Sequence, residues 1–337
     1  MLKFYQLLFM NLLMMSTFIV ISASSWLSMW MGLEINMLSI IPLMKSNNNI
    51  YPAESALKYF ITQTLASLVI LLSIILSLNN SDYLPENLNY WNMMILNSAL
   101  LMKLGAAPFH FWFPEVMEGV NWNICMLLLT WQKLAPMILI SYSFFMSIFF
   151  SSIIILSALI GGLLGINQMS LRKILTYSSI SHIGWMIASI MYFQMIWMIY
   201  FIVYSIITMN LIFIFNKINA FYLTQFTNSM MANKLIKFFF CLNLLSLGGL
   251  PPFLGFLPKW LVVNMMINNN FISLSFILII LSLIVLYFYL RLIFSILTIL
   301  SQENLIFSIN FSSALMIWLN SLTLMGLMIS TSLFSFL

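Results

Sequence analysis

Apolar stretches of 18 or more residues recur along nearly the whole chain, separated only by short polar or Pro/Gly-containing breaks. A run of that length matches a helix crossing the roughly 30 Å hydrocarbon core of a bilayer. Lipid offers no hydrogen-bonding partner, so a spanning segment must pair its own backbone groups, which a helix does. Of 337 residues, 63% are hydrophobic and 6% charged, where a soluble domain carries about a quarter charged. The expected fold class is an all-α polytopic membrane protein. About eleven spans are expected, at roughly 4–23, 25–45, 55–78, 91–112, 122–144, 147–166, 174–193, 195–216, 238–266, 272–295 and 313–336. Lys3 precedes a long apolar run that no small-residue cleavage pattern ends, so a retained first helix is expected. Cys125 and Cys241 fall within apolar runs, without metal-site spacing, and read as packing residues.

The net charge of +5 comes from twelve basic residues that form no run. Alternating the spans across a bilayer places Lys3, Lys45, Lys58, Arg172, Lys173, Lys217, Lys234, Lys237 and Arg291 on or near one face. Asp82 falls on the other. The positive-inside rule then puts the N-terminus inside and the C-terminus outside. The same sorting supports the span count, because one helix more or fewer in mid-chain would scramble it.

Lys103, Lys133 and Lys259 escape this sorting, since they fall within or at the ends of spans; Glu34 lies near the middle of the second. A charge at the centre of a membrane helix costs roughly 2.5–3.5 kcal/mol on insertion scales. A lysine near a helix end can snorkel to the interface, which Lys103 and Lys259 could do more readily than Lys133. The alternative is a buried proton-transfer group. In a medium of low permittivity an ammonium and a carboxylate hold each other charged, so moving them apart and together unloads and loads a proton. His182, in "LTYSSISHIGWM", is a candidate relay of the same kind, although a lone histidine on a helix is more often a hydrogen-bonded packing residue. His110 reads as interfacial, and Glu115 and Glu118 as solvated loop residues.

The fourth and ninth spans contain internal prolines. In "LLMKLGAAPFHFWFPE" and "LGGLPPFLGFLPKW", Gly105, Pro108, Phe109 and Pro114 align without gaps on Gly249, Pro252, Phe253 and Pro258, a constant offset of 144 residues. The offset spans five helices, and an odd number turns the second copy upside down, the inverted-repeat arrangement of transporters. The expected division is 1–145 for the first five-helix repeat, 146–300 for the second and 301–337 for a C-terminal helix. Proline removes an amide donor and clashes with the preceding turn. Each motif should therefore break its helix, leave backbone carbonyls unpaired, and create a hydrated pocket beside Lys103 and Lys259.

There is no GxxxxGK[ST], GxGxxG, CxxC or clustered His/Asp/Glu set. No cofactor or metal is expected in this chain, and electron transfer would be the work of other chains.

The stretches "WMGLEIN", "KLGAAPFHFWFPE", "TWQKLAP", "SLRKILTYSSISHIGWM" and "LSLGGLPPFLGFLPKW" resemble, in this order over about residues 26 to 264, the antiporter-like membrane subunits of NADH:ubiquinone oxidoreductase (respiratory complex I). Among them the likeness is to the animal mitochondrial subunit 2 family; the last 70 or so residues match only in hydropathy. Bacterial members carry three further N-terminal helices, and a chain opening on its first span fits the animal form. The resemblance implies two inverted five-helix repeats, each with a broken helix. It implies an ion pair with Glu34 as its acid and Lys103, on the first broken helix, as its base. Lys133 would be the central relay and Lys259 the lysine of the second broken helix.

The resemblance further implies a core subunit that translocates protons across the mitochondrial inner membrane, coupled to NADH oxidation and ubiquinone reduction in other subunits. Energy would arrive at Glu34 and Lys103, pass through Lys133 and reach Lys259. The implied partners are other membrane and accessory subunits of complex I and phospholipid, with no nucleic acid and no homo-oligomer. The N-terminus would face the matrix and the C-terminus the intermembrane space. Two readings from other classes stay open: a freestanding cation/proton antiporter, and a structural spacer with no proton path.

Overall fold

A computed structural model describes residues 4–45, 50–79, 86–143, 147–229, 234–251, 253–298 and 320–321. Fourteen helices are seen among them, with no strand beyond one isolated bridge between Ser170 and Tyr222. The expected spans 1 to 3 are single helices, α1 (Phe4–Ser22), α2 (Trp26–Met44) and α3 (Tyr51–Asn79). The fourth is split into α4 (Glu86–Leu104) and α5 (Trp112–Gly119), and the fifth into α6 (Trp122–Leu129) and α7 (Trp131–Tyr142). Then come α8 (Ser147–Ile166), α9 (Leu171–Ile190) and α10 (Gln194–Ile218). A short α11 (Leu223–Ser229) leads to the split ninth span, α12 (Lys234–Gly248) and α13 (Phe256–Asn268), and to α14 (Ile272–Thr298). The eleventh span apart from residues 320–321, Pro252 and Asp82 lie outside the described residues.

Seven of these described segments are long and apolar enough to cross a membrane, counting α6 with α7 as one. The exceptions have physical reasons. The fourth and ninth spans are interrupted, and α9 is polar because it is buried on almost every side. Its serines need no partner helix: Ser178, Ser179, Ser181 and Ser189 each donate to a carbonyl three residues back, at 2.6–2.8 Å. Satisfied in that way, a hydroxyl is cheap to bury. The outward faces of the other helices carry what lipid accepts, for instance Phe4, Leu8, Met15 and Phe18 on α1.

The chain divides into two compact units, Met1–Ile153 and Ile154–Leu337. The division falls inside α8, a few residues beyond the expected boundary at 145/146. In the first unit α1 packs on α2, and α3 lies against α2, α4 and α5. In the second, α9 is surrounded by α10, α13 and α14, and Gly161 of α8 fits against the backbone of Tyr177 and Ser181.

Within each unit, loops assigned to one face by the charge sorting do meet. Lys58 Nζ lies 3.0 Å from the carboxylates of both Glu54 and Glu115, joining the start of α3 to α5. The loop before α9 pairs with the loop after α10: Leu171 N–H donates to Phe221 C=O at 3.0 Å and Leu223 N–H to Met169 C=O at 3.1 Å. Arg172 covers the Phe221 ring at 4.5 Å. At the opposite ends, the rings of Tyr192 and Phe271 meet at 5.5 Å, tilted by 59°. Single cysteines at Lys173 and Lys217 are therefore expected to react with an impermeant thiol reagent from one side, and a cysteine at the exposed Phe193 from the other. Labelling of all three from one side would overturn the span assignment.

Candidate functional site

The two broken helices end alike. Gly105 and Gly249 sit just past α4 and α12 with φ of 72° and 78°, a left-handed turn that costs glycine nothing. Ala106 N–H closes back on Leu101 C=O at 3.1 Å, and Leu250 N–H on Leu245 C=O at 3.3 Å. This is the hydrogen-bonding pattern of a Schellman cap. Re-entry matches too: Phe113 N–H bonds His110 C=O and Leu257 N–H bonds Leu254 C=O, at 3.0 and 3.2 Å. Each pair keeps the offset of 144 residues. So do the ends of the helices, Leu104 with Gly248 and Trp112 with Phe256.

The carbonyls expected to be left unpaired are not. In the first unit the indole Nε1 of Trp112 donates to Met102 C=O at 3.0 Å, and Gln63 Nε2 reaches Lys103 C=O at 3.5 Å. In the second unit a lysine does this work: Lys259 Nζ donates to Gly248 C=O at 2.8 Å and approaches Leu247 C=O at 3.5 Å. An ammonium suits that place, where the partial negative charge of a helix C-terminus gathers. A desolvated carbonyl recruits any donor within reach, which is why the breaks are capped by side chains. The lysines themselves do not obey the repeat. By the offset Lys259 stands over Glu115 and Lys103 over Leu247, so each unit places its charge on a different side of its break.

All three lysines are buried within protein, with exposures of 8% for Lys103, 2% for Lys133 and 8% for Lys259. None of the three snorkels. Two lie over aromatic faces, Lys133 Nζ 5.7 Å from the Phe113 ring and Lys259 Nζ 5.8 Å from Trp185, within cation–π range. Lys133 occupies the first turn of α7, after an interruption at Thr130 that the sequence did not signal. Pro136 follows closely; lacking an N–H, it cannot serve the Gln132 carbonyl.

Glu34 and Lys103 do not form a direct ion pair in this structure. Glu34 Oε1 is buried and makes no hydrogen bond among the described residues. Between α2, α3, α4 and α7 lies a small cavity, with room for about one water, lined by Asn36, Tyr59, Gln63, Lys103 and Gln132 with Leu33, Met37 and Pro136. In the second unit an equally small cavity adjoins the break, lined by His182, Tyr200, Tyr204, Ser246, Gly255 and Pro258 among others. Lys103 lines the first cavity, as expected, whereas Lys259 is not part of the lining of the second. His182 Nδ1 is 2.9 Å from the Tyr200 hydroxyl, and its ring is 5.2 Å from that of Tyr204. His110, expected at the interface, is 3% exposed, with Nδ1 3.3 Å from Pro108 C=O. Glu115 is solvated as expected, but it and Glu118 stand in α5 and not in a loop, and Glu115 holds Lys58.

A family model described as "NADH:quinone oxidoreductase/Mrp antiporter, TM" matches residues 23–286. The NADH-ubiquinone oxidoreductase chain 2 of Aedes aegypti is 48% identical over 332 residues, 97% of each chain. The chain belongs to the NADH-ubiquinone oxidoreductase chain 2 family. The family's member from Anopheles gambiae is 50% identical over 298 residues, 88% of this chain and 87% of its own. A chain of the respiratory complex I of Thermus thermophilus, solved with bound aureothin, superposes with a TM-score of 0.83 at 22% identity. That match covers 96% of this chain and 79% of that one, and it speaks for the fold alone.

In this chain 2 protein the sequence does not mark the polar groups that line the Lys103 cavity and cap the first break. Gln132 and Asn36 both stand in stretches that carried the resemblance, one residue from Lys133 and two from Glu34. Nothing in the sequence marks their amides for this place, since asparagine and glutamine commonly act as interhelical glue. Tyr59 and Trp112 are hidden in a different way: each passes for lipid-facing or packing bulk until its polar atom is seen to have a target.

Proposed function

We propose that this chain is a core membrane subunit of respiratory complex I, translocating protons across the mitochondrial inner membrane. NADH oxidation and ubiquinone reduction take place in other subunits, and the chain has no redox centre of its own. Lys103, Lys133 and Lys259 take up and release the proton, Glu34 sets the charge on Lys103, and His182 serves the second cavity as a relay. The N-terminus faces the matrix. The observation that carries this reading is the burial of three lysines away from any surface, each at an interrupted helix. A spacer protein would have no reason to bear that cost, which is several kcal/mol per buried charge.

Glu34→Gln tests the first step. The amide keeps the shape of the side chain and removes the charge acting on Lys103. The expected result is an assembled complex that reduces ubiquinone but moves fewer protons per electron. A normal proton-to-electron ratio in the assembled variant would overturn the role given to Glu34. Purification in mild detergent separates this reading from its rival: a freestanding antiporter would leave the other subunits behind and exchange ions alone in liposomes.

A further inference from the structure

We propose that Gln132 is a positioning residue for proton transfer: its side-chain amide bridges α2 and α3 across the Lys103 cavity as a neutral divider between Lys103 and Lys133. The inference rests on the proton-translocation reading and gives a role to a residue outside the charged set.

The geometry is specific at both ends of the amide. Gln132 Nε2 donates to Asn36 Oδ1 at 2.7 Å, and Gln132 Oε1 accepts from the Tyr59 hydroxyl at 3.4 Å. Three helices are tied by one side chain, at the level where Lys103 enters the same cavity. Its neighbour Lys133 points elsewhere, over Phe113, because successive residues on a helix are about 100° apart. Gln132 therefore lines the same cavity as Lys103, while the next residue, the second lysine, is not among the lining residues.

The chemistry of an amide explains why glutamine suits the place. It offers a donor and an acceptor in fixed directions and has no proton to exchange at physiological pH. Waters in a polar cavity take their orientation from such groups. A carboxylate there would pair with Lys103 and open an uncontrolled path; an aliphatic side chain would leave Asn36 Oδ1 without its donor and the cavity without its ordering element. A buried unpaired polar group costs about 1–3 kcal/mol. Gln63 does not duplicate this role, since its Nε2 is directed to the Lys103 backbone carbonyl.

The test uses intact complex I in liposomes, with assembled complexes counted by NADH oxidation with an artificial acceptor. Two quantities are read: protons moved per electron, and passive proton leak under an imposed gradient with turnover inhibited. Gln132→Leu should lower the proton-to-electron ratio and leave the leak unchanged. Gln132→Glu, which has the same shape, should raise the leak. Simple helix glue would make both variants alike, differing from the parent only in the amount assembled, and that outcome overturns the proposal. Should Gln132→Leu not assemble, the glutamate variant decides, and a parental leak and ratio there overturn it. Lys133→Met is measured in parallel. A parental ratio in Lys133→Met removes the proton-translocation reading itself, whereas a lowered ratio there beside parental Gln132 variants removes only the role of Gln132.

Discussion

Gly255→Ala is expected to abolish assembly, although it adds one methyl group to a chain of 337 residues. Gly255 immediately precedes α13, where the chain returns from the second break, and a Cβ built there would run into the backbone carbonyl of Ser246 in the last turn of α12. Ser246 C=O cannot turn aside, because it accepts the Gly249 N–H at 3.0 Å as part of the cap that ends the helix. Overpacking against side chains costs about 1–3 kcal/mol and is relieved by new rotamers; backbone against backbone has no such relief. Two neighbouring variants calibrate the result. Gly248→Ala would meet only Leu286 and Tyr289 side chains at 3.6 Å and should assemble normally. Gly249→Ala combines the left-handed φ, costing roughly 1–2 kcal/mol, with a Cβ 2.7 Å from the flexible Lys259 Cδ, so it should assemble and pump poorly. Native electrophoresis of membranes reads assembly directly. A Gly255→Ala complex at parental abundance would show that the two half-helices are not held as described.

The first unit shows why an alignment could not have supplied this. Position 111, which the offset places over Gly255, is a phenylalanine that is 74% exposed. Both residues have helical backbone angles at the start of the returning helix, but only one is pressed against the end of the preceding half-helix. Much of the architecture was nonetheless legible, because it follows from hydropathy and from two punctuating glycines. Gly105 and Gly249 marked the breaks to the residue. The lysines announced themselves through the cost of burying a charge, which a chain bears only where the charge has work to do. What escaped was set by reach. Trp112 caps a carbonyl ten positions back, and Lys259 caps the half-helix before its own. Gln132 meets an asparagine 96 positions away. Such pairings depend on which helices are neighbours, and residue spacing does not contain that. The interruption at Thr130 escaped for a local reason: neither glycine nor proline stands there, and Pro136 was read as part of a continuous span.

Lys133→Arg and Lys133→Met are both expected to assemble and both to lose the protons that pass through Lys133. Lys133 is the decisive residue because it is 2% exposed and lies well inside its span, so bulk water cannot exchange its proton unaided. A fixed structural cation and a relay make different demands on such a site. The fixed cation needs only to stay charged, and the face of Phe113 serves that purpose for any cation above it. A relay must also let its proton go, and the guanidinium of arginine effectively never does so in a protein. Charge is thus retained in one variant and removed in the other, while proton exchange is lost in both. Because arginine is bulkier, the ratio of protons to electrons has to be taken per assembled complex, with the methionine variant as the control that fits the site in volume. Full pumping by Lys133→Arg beside none in Lys133→Met would make Lys133 an electrostatic element and end its role as a relay. Equal loss in the two, with ubiquinone reduction retained, is the result that a lysine buried between a broken helix and an aromatic ring should give if it carries the proton itself.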